Sequence, residues 1–173
     1  SIDKYVWLNE FLNGKVNRIE KEQFFLGGKG IHVALGIAEL GEECCILGFW
    51  GGGTGQWIRQ FCEGKGIKCY GPEVNDDNRT CLTFRSKGNF DGTELLGIGP
   101  SIEEVTLKQF YLEFTKLLNN ASSVCMSGSW PPTSINTDNS NFIKAAKGKN
   151  VKTFIDCSGK ALINSLEANP YCV

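Results

Sequence analysis

The spacing of apolar positions changes character at residue 30. Before it, residues 4–26 set Trp7, Phe11 and the pair Phe24-Phe25 among charges, around a turn at Asn13-Gly14. That pattern predicts extended chain with one buried face. After it, Val33, Ala34, Ile37, Ala38 and Leu40 follow a helical spacing closed by Gly41. Residues 44–49 form a short apolar run of the kind a central parallel strand shows. Gly51-Gly52-Gly53 then breaks the chain, and Thr54 is expected to cap a helix carrying Trp57, Ile58, Phe61 and Cys62 on one stripe. Gly64-Lys65-Gly66 ends it. Residues 67–70 read as a strand, 71–79 as a polar loop, and 80–85 with 93–96 as a hairpin. Thr106 and Gln109 are spaced as a capping box for a helix with the stripe Leu107, Phe110, Tyr111, Phe114, Leu117 and Leu118. Strands at 122–127 and 151–155, with helices near 139–147 and 160–168, complete the pattern.

Strand and helix alternate from residue 30 onward, and the strands are continuously apolar. This predicts an α/β fold, a parallel sheet flanked by helices, with a small β appendage from about 4–26 and 79–98. Ligands of such sheets bind at the carboxyl ends of strands, where loops 51–54, 128–133 and 156–159 fall.

Composition removes several alternatives. With 18 Lys+Arg against 19 Asp+Glu, and no basic block interleaved with aromatics, nucleic acid is not an expected partner. No run of 18 apolar residues occurs, so no membrane span is expected. The eight cysteines include an adjacent pair, Cys44-Cys45, but no CxxC, and there is a single histidine. Buried, reduced thiols in a cytoplasmic protein are expected rather than a zinc site or a disulfide framework. The chain starts at Ser1 and stops at Val173 in what reads as a beginning strand, so a piece of a longer protein is expected.

The richest candidate chemistry lies in Gly27-Gly28-Lys29-Gly30-Ile31-His32-Val33-Ala34. Glycines entering a helix leave unpaired N–H groups at the positive end of its dipole, which suits an anionic or polyhydroxylated ligand. The bland alternative is that Gly27 and Gly28 only turn the chain. Because Gly27–Gly30 is not G-x-G-x-x-G and follows a polar segment, a Rossmann dehydrogenase is disfavoured. Gly51-Gly52-Gly53-Thr54-Gly55 is not a P-loop, since no Gly-Lys-Ser/Thr follows.

Six segments in order resemble the ribokinase-like (PfkB) carbohydrate kinases, in particular the 1-phosphofructokinase and tagatose-6-phosphate kinase branch. They are Ser1-Ile2-Asp3, Asn13-Gly14-Lys15-Val16-Asn17-Arg18, the stretch from Gly27 to Ala34 with Ala38-Glu39-Leu40-Gly41, Asn78-Arg79-Thr80, Ser127-Gly128-Ser129-Trp130-Pro131-Pro132, and Asp156-Cys157-Ser158-Gly159-Lys160-Ala161-Leu162. The resemblance implies a ribokinase-like parallel sheet with a β lid, its C-terminal part missing here. It implies ATP- and Mg²⁺-dependent transfer of a γ-phosphoryl group to a hydroxyl of a ketohexose phosphate. It also implies a homodimer formed through the lid.

By the same resemblance Asp3 would accept hydrogen bonds from sugar hydroxyls, and Gly27, Gly28 and Lys29 would line the sugar site. Lys15, Arg18 and Arg79 would hold the phosphate already on the substrate, a guanidinium fork being suited to it. Otherwise they belong to a charged face pairing with Glu20, Glu22 or Asp77. Ser129 would help hold the sugar phosphate, or else only turns the chain ahead of Pro131. His32 stands where the family has Asn, and three readings stay open: a sugar ligand, a residue packed at the helix start, or a base. Pro132-Thr133 replaces the usual Pro-Gly. No Gly-x-Gly-Asp, the family's catalytic motif, occurs in the chain. The catalytic residue is therefore expected beyond Val173, with the fragment alone inactive. The competing reading is a truncated, non-catalytic sugar-phosphate binder.

Overall fold

The computed structural model describes residues 1–133 and 138–173. The elements, in chain order, are β1 (Ile2–Glu10), β2 (Lys21–Leu26), α1 (Lys29–Glu39), β3 (Cys45–Leu47), β4 (Trp50–Gly51), α2 (Gly52–Gly64), β5 (Lys68–Tyr70) and β6 (Glu73–Val74). They continue as β7 (Thr80–Lys87), β8 (Glu94–Leu96), α3 (Glu104–Leu117), β9 (Ser123–Ser127), α4 (Ser140–Lys147), β10 (Lys152–Asp156) and α5 (Gly159–Glu167). The fold is α/β, as the alternation predicts.

Strand β1 organises the molecule. Its side chains Ile2, Val6 and Leu8 are buried, and it pairs antiparallel with β2 and parallel with β7. With the antiparallel β7–β8 hairpin this gives a four-stranded sheet of order β2-β1-β7-β8. The sheet draws on the segments at 4–26 and 79–98 but reaches back to Ile2, which joins the α/β core.

The remaining strands pair in parallel as β3/β5, β4/β6 and β9/β10, in separate short ladders rather than one unbroken sheet. The first two ladders continue each other, because Gly48 N–H donates to Tyr70 O (3.0 Å) and Trp50 N–H to Pro72 O (3.0 Å) between them. Residues 71–79 are expected as loop throughout, yet Glu73–Val74 is a strand, held by pairing with Trp50–Gly51 that two residues in a polar stretch do not signal. Where the sequence reads as a beginning strand, the structure has an isolated bridge beside β10, with Ile155 N–H donating to Cys172 O (3.0 Å).

Two larger apolar clusters set the α/β body, beside a small one of Ile143, Ile155 and Ala168. One joins Ile2, Ala34, Trp50, Ile58, Cys62, Ile67 and Cys69 between α1, α2 and the early strands. The other stacks Phe110, Phe114, Leu118, Phe142, Ala146 and Val151 between α3 and α4, with Trp130 against it. Phe142 meets Phe110, Phe114, Tyr111 and Trp130 at ring-centroid distances of 5.0–5.9 Å, a packing that favours edge contacts.

Three local expectations are corrected. Helix α2 begins at Gly52, so Thr54 lies inside the first turn and the cap comes from Asp77, whose Oδ1 accepts from Thr54 N–H at 3.2 Å. Helix α3 begins at Glu104, with Glu103 as N-cap and no side-chain cap bond, so Thr106 and Gln109 make no capping box. The eight cysteines are all free, but only Cys62, Cys69 and Cys81 are buried, while Cys45, Cys125 and Cys172 are exposed. Burial pushes the Cys69 thiol up to about 12, which leaves it protonated and unreactive.

A candidate sugar-phosphate site between the four-stranded sheet and the strand ends

The start of β1, the β2–α1 turn, the start of β7 and the ends of β9 and β10 converge on one place. Gly27 N–H donates to Ser1 O (2.9 Å), and Ile2 N–H donates to Arg79 O (3.0 Å). These bonds bring Asp3, Gly27 and Arg79 to adjoining strand ends. A Cβ on residue 27 would stand 2.0 Å from Asp3 Oδ1 and 2.6 Å from Ser1 Oγ, so only glycine lets the carboxylate lie flat against the turn. Gly28 follows as the N-cap of α1, and no side chain caps this helix. Its leading N–H groups therefore have no side-chain acceptor among the described residues.

The ends of β9 and β10 close the other side. Gly128 N–H donates to Asp156 O (2.8 Å), and Ser127 Oγ donates to Asp156 Oδ2 (3.0 Å). Lys29 Nζ reaches Asp156 Oδ1 at 3.0 Å, both side chains more than half exposed. The Lys29 ammonium, then the Ser127 hydroxyl, hold the Asp156 carboxyl below the usual carboxylate range. Arg79 Nη1 donates to Ser129 Oγ at 3.4 Å. Arg79 forms no ion pair among the described residues, so its guanidinium fork stays available to an anion.

A polar knot lies beneath the two strand-end loops. Trp130 Nε1 donates to Asn139 Oδ1 (2.9 Å), and Asn139 Nδ2 donates to Ser165 Oγ (3.1 Å). Asn139 and Ser165 are buried. Beside it, burial alone would raise the Asp138 carboxyl, but bonds from Ser140 and Asn164 outweigh it and pull the group down.

Of the residues singled out from the sequence, Asp3, Gly27, Gly28, Lys29, Arg79 and Ser129 come together. His32 sits one turn into α1, exposed, with Nε2–H donating to Leu26 O at 2.8 Å. That bond ties the ring to the end of β2 and leaves Nδ1 as an acceptor in the neutral ring. Lys15 and Arg18 do not join the others. Both lie exposed in the β1–β2 connection, and from Asp3 to Glu10 the strand alone covers about 23 Å. Neither makes the ion pairs with Glu20, Glu22 or Asp77 that were the alternative, since Glu22 pairs with Lys4 (2.8 Å). Asp156 and Ser127 belong to the cluster but were not singled out as site residues. The signal for Asp156 was its place at the carboxyl end of a strand, in the segment Asp156-Cys157-Ser158-Gly159.

The cluster thus presents two cations (Lys29, Arg79), two carboxylates (Asp3, Asp156), the hydroxyls of Ser127 and Ser129 and an uncapped helix start. That set can grip a molecule carrying both vicinal hydroxyls and a phosphate. Among the described residues no three His, Cys, Asp or Glu side chains are grouped to hold a metal ion. No helix among them is long and apolar enough to cross a membrane.

The chain is 36% identical to a 1-phosphofructokinase of Borreliella burgdorferi, over all of this chain and 55% of that protein. It is 32% identical to a tagatose-6-phosphate kinase of Staphylococcus epidermidis, over 98% of this chain and 54% of the relative. It therefore spans about half the length of the curated relatives it matches. Among solved structures, a Thermotoga maritima protein described as a possible 1-phosphofructokinase superposes with a TM-score of 0.84, at 23% identity, over 96% of this chain and 54% of its own. Escherichia coli phosphofructokinase-2 in complex with fructose-6-phosphate does so at 0.79, with 23% identity, over 97% of this chain and 55% of its own. Those likenesses establish the fold, the ribokinase-like one the motifs implied, and only part of it. The family model described as pfkB family carbohydrate kinase matches residues 3–172, and this chain belongs to that family.

Proposed function

We propose that the full-length protein is an ATP- and Mg²⁺-dependent phosphosugar kinase. It transfers the γ-phosphoryl group to a hydroxyl of a ketohexose phosphate: fructose 1-phosphate, tagatose 6-phosphate or fructose 6-phosphate. The residues described here supply the sugar-phosphate half of its site. The observation that carries the reading is the Arg79 guanidinium, without an ion pair among the described residues and hydrogen-bonded to Ser129, at the strand end adjoining the Asp3–Gly27 contact. Asp3 accepts from two sugar hydroxyls, and Lys29 with the α1 N–H groups lines the sugar. Arg79 and Ser129 take the phosphate already present. His32 offers Nδ1 toward the sugar.

The base and the anion-holding helix start are supplied by a Gly-x-Gly-Asp segment that this chain does not contain. Without them phosphoryl transfer loses its main electrostatic terms, so these 173 residues alone are inactive. In the proposal the four-stranded sheet is the lid, and a homodimer forms through it. Phe24 and Phe25 on one edge strand, and Leu95 and Leu96 on the other, are exposed apolar side chains of that sheet. Lys15 and Arg18, too far from Asp3 within one chain, keep a phosphate role only if one copy's sheet lies over the other's site. A cytoplasmic location fits the eight free thiols.

An ATP-coupled assay of the full-length protein tests the reading, run against the three ketohexose phosphates and their unphosphorylated sugars, with the fragment alongside. Turnover of one phosphosugar by the full protein, and none by the fragment, is expected. No turnover by either would overturn the kinase reading and leave a non-catalytic sugar-phosphate binder in its place.

A further inference from the structure

The glycine-rich stretch 51–55 is not part of the sugar-phosphate cluster, yet three of its glycines have no room for a side chain. A Cβ would stand 2.1 Å from Asp76 O at Gly51, 2.0 Å from Asp77 Oδ1 at Gly52, and 2.5 Å from Asn78 Oδ1 at Gly55. The loop that presses on them runs straight into Arg79. Asp77 Oδ1 accepts from Thr54 N–H (3.2 Å) and so fills the start of α2 with a carboxylate of the chain itself. Asn78 uses both ends of its amide, Oδ1 accepting from Gly51 N–H (2.9 Å) and Nδ2 donating to Phe49 O (2.9 Å). Its backbone N–H donates to Gly51 O (3.1 Å), and the Thr54 hydroxyl donates to Asn78 O (2.9 Å). On the far side of Arg79 the backbone is held by Ile2, and β7 begins at Thr80.

We propose that Thr54, Asp77 and Asn78 form a clamp that positions Arg79 for the substrate's phosphate, with the 51–55 glycines as its anvil. These are positioning residues, acting through Arg79 and touching neither sugar nor nucleotide. The inference rests on the reading that Arg79 holds the phosphate. The clamp fixes the backbone on which the guanidinium swings, at the junction between the α/β body and the four-stranded sheet. Small displacements there change how the fork meets phosphate oxygens, while the sugar hydroxyls still find Asp3.

The test uses the full-length protein and steady-state kinetics with its phosphosugar and with ATP, on Thr54→Val, Thr54→Ser, Asn78→Ala and Arg79→Ala. Thr54→Val keeps the side-chain shape and removes the hydroxyl. It should raise KM for the phosphosugar about tenfold or more while kcat and KM for ATP stay within about twofold. Thr54→Ser should restore the wild-type value, which a generally loosened fold would not do. Asn78→Ala should follow Thr54→Val with a larger effect. If Arg79→Ala raises KM but folded Thr54→Val and Asn78→Ala do not, the clamp is overturned and the Arg79 assignment stands. If Arg79→Ala leaves KM unchanged, the phosphate reading fails and the clamp with it.

Discussion

Two glycine-rich turns in this molecule lead into helices, and each presses its backbone against an aspartate. At Gly27-Gly28 the aspartate is Asp3, which approaches the turn from the side and leaves the start of α1 uncapped. At Gly51-Gly52 it is Asp77, which accepts from the Thr54 N–H and occupies the start of α2. The first helix end is therefore left without a side-chain acceptor among the described residues, open to a ligand's oxygens in the proposed reading, whereas the second is closed by an internal carboxylate. The same glycine signature leaves an open helix start in one case and a closed one in the other. What separates them is where the nearest carboxylate sits relative to the helix's leading N–H groups.

The largest effect expected from breaking this contrast is on activity. Gly27→Ala drives a Cβ into Asp3, and kcat/KM for the phosphosugar should fall on the order of 10²-fold or more, read by steady-state kinetics. Unchanged kinetics would remove Asp3 from the hydroxyl site. The corresponding change at the second turn acts on the fold. Gly52 has φ +55° and no room beside Asp77, so Gly52→Ala should destabilise the protein by about 1–3 kcal/mol in denaturant unfolding.

A smaller effect sharpens the electrostatics of the first turn. Lys29 holds the Asp156 carboxyl below its usual range, so that interaction contributes stability above the unfolded carboxylate value. The contribution is lost as pH falls through the lowered folded value. Lys29→Met should move the Asp156 titration upward toward the ordinary value, measured by carboxyl-carbon NMR, and high salt should move the wild type the same way. The smallest effect belongs to Gly53, beside which a Cβ meets nothing within 4 Å. Gly53→Ala should be neutral or stabilising by up to about 1 kcal/mol, since alanine favours a helix. A loss as large as that at Gly52 would mean the close contacts with 76–78 are not what selects glycine.

Much of this arrangement is legible in the sequence, and the parts that are not share a cause. The alternation from residue 30 gives the α/β class, and the family resemblance of their segments singles out Asp3, Gly27, Lys29, Arg79 and Ser129, which the fold brings together. The cap of α2 is not legible, because Asp77 lies 23 residues from Thr54 and a local pattern offers the nearer hydroxyl instead. Strand β6 is missed for a similar reason, since its partner β4 comes from a different part of the chain. Asp156 becomes a neighbour of Lys29 across 127 residues, which only the packing of α1 onto β9 brings about. Lys15 and Arg18 show the converse. A motif groups them with the phosphate ligands, but the length of β1 carries them away from Asp3.

The contrast between the two turns is tested most directly by an amide NMR titration of the full-length protein with its phosphosugar, following both glycine segments at once. The account predicts that Gly28, Lys29 and Gly30 shift with saturable amplitude while Gly52, Gly53 and Thr54 stay in place. Saturable shifts at Gly52–Thr54 with none at Gly28–Gly30 would contradict it, and would make the second turn the ligand site.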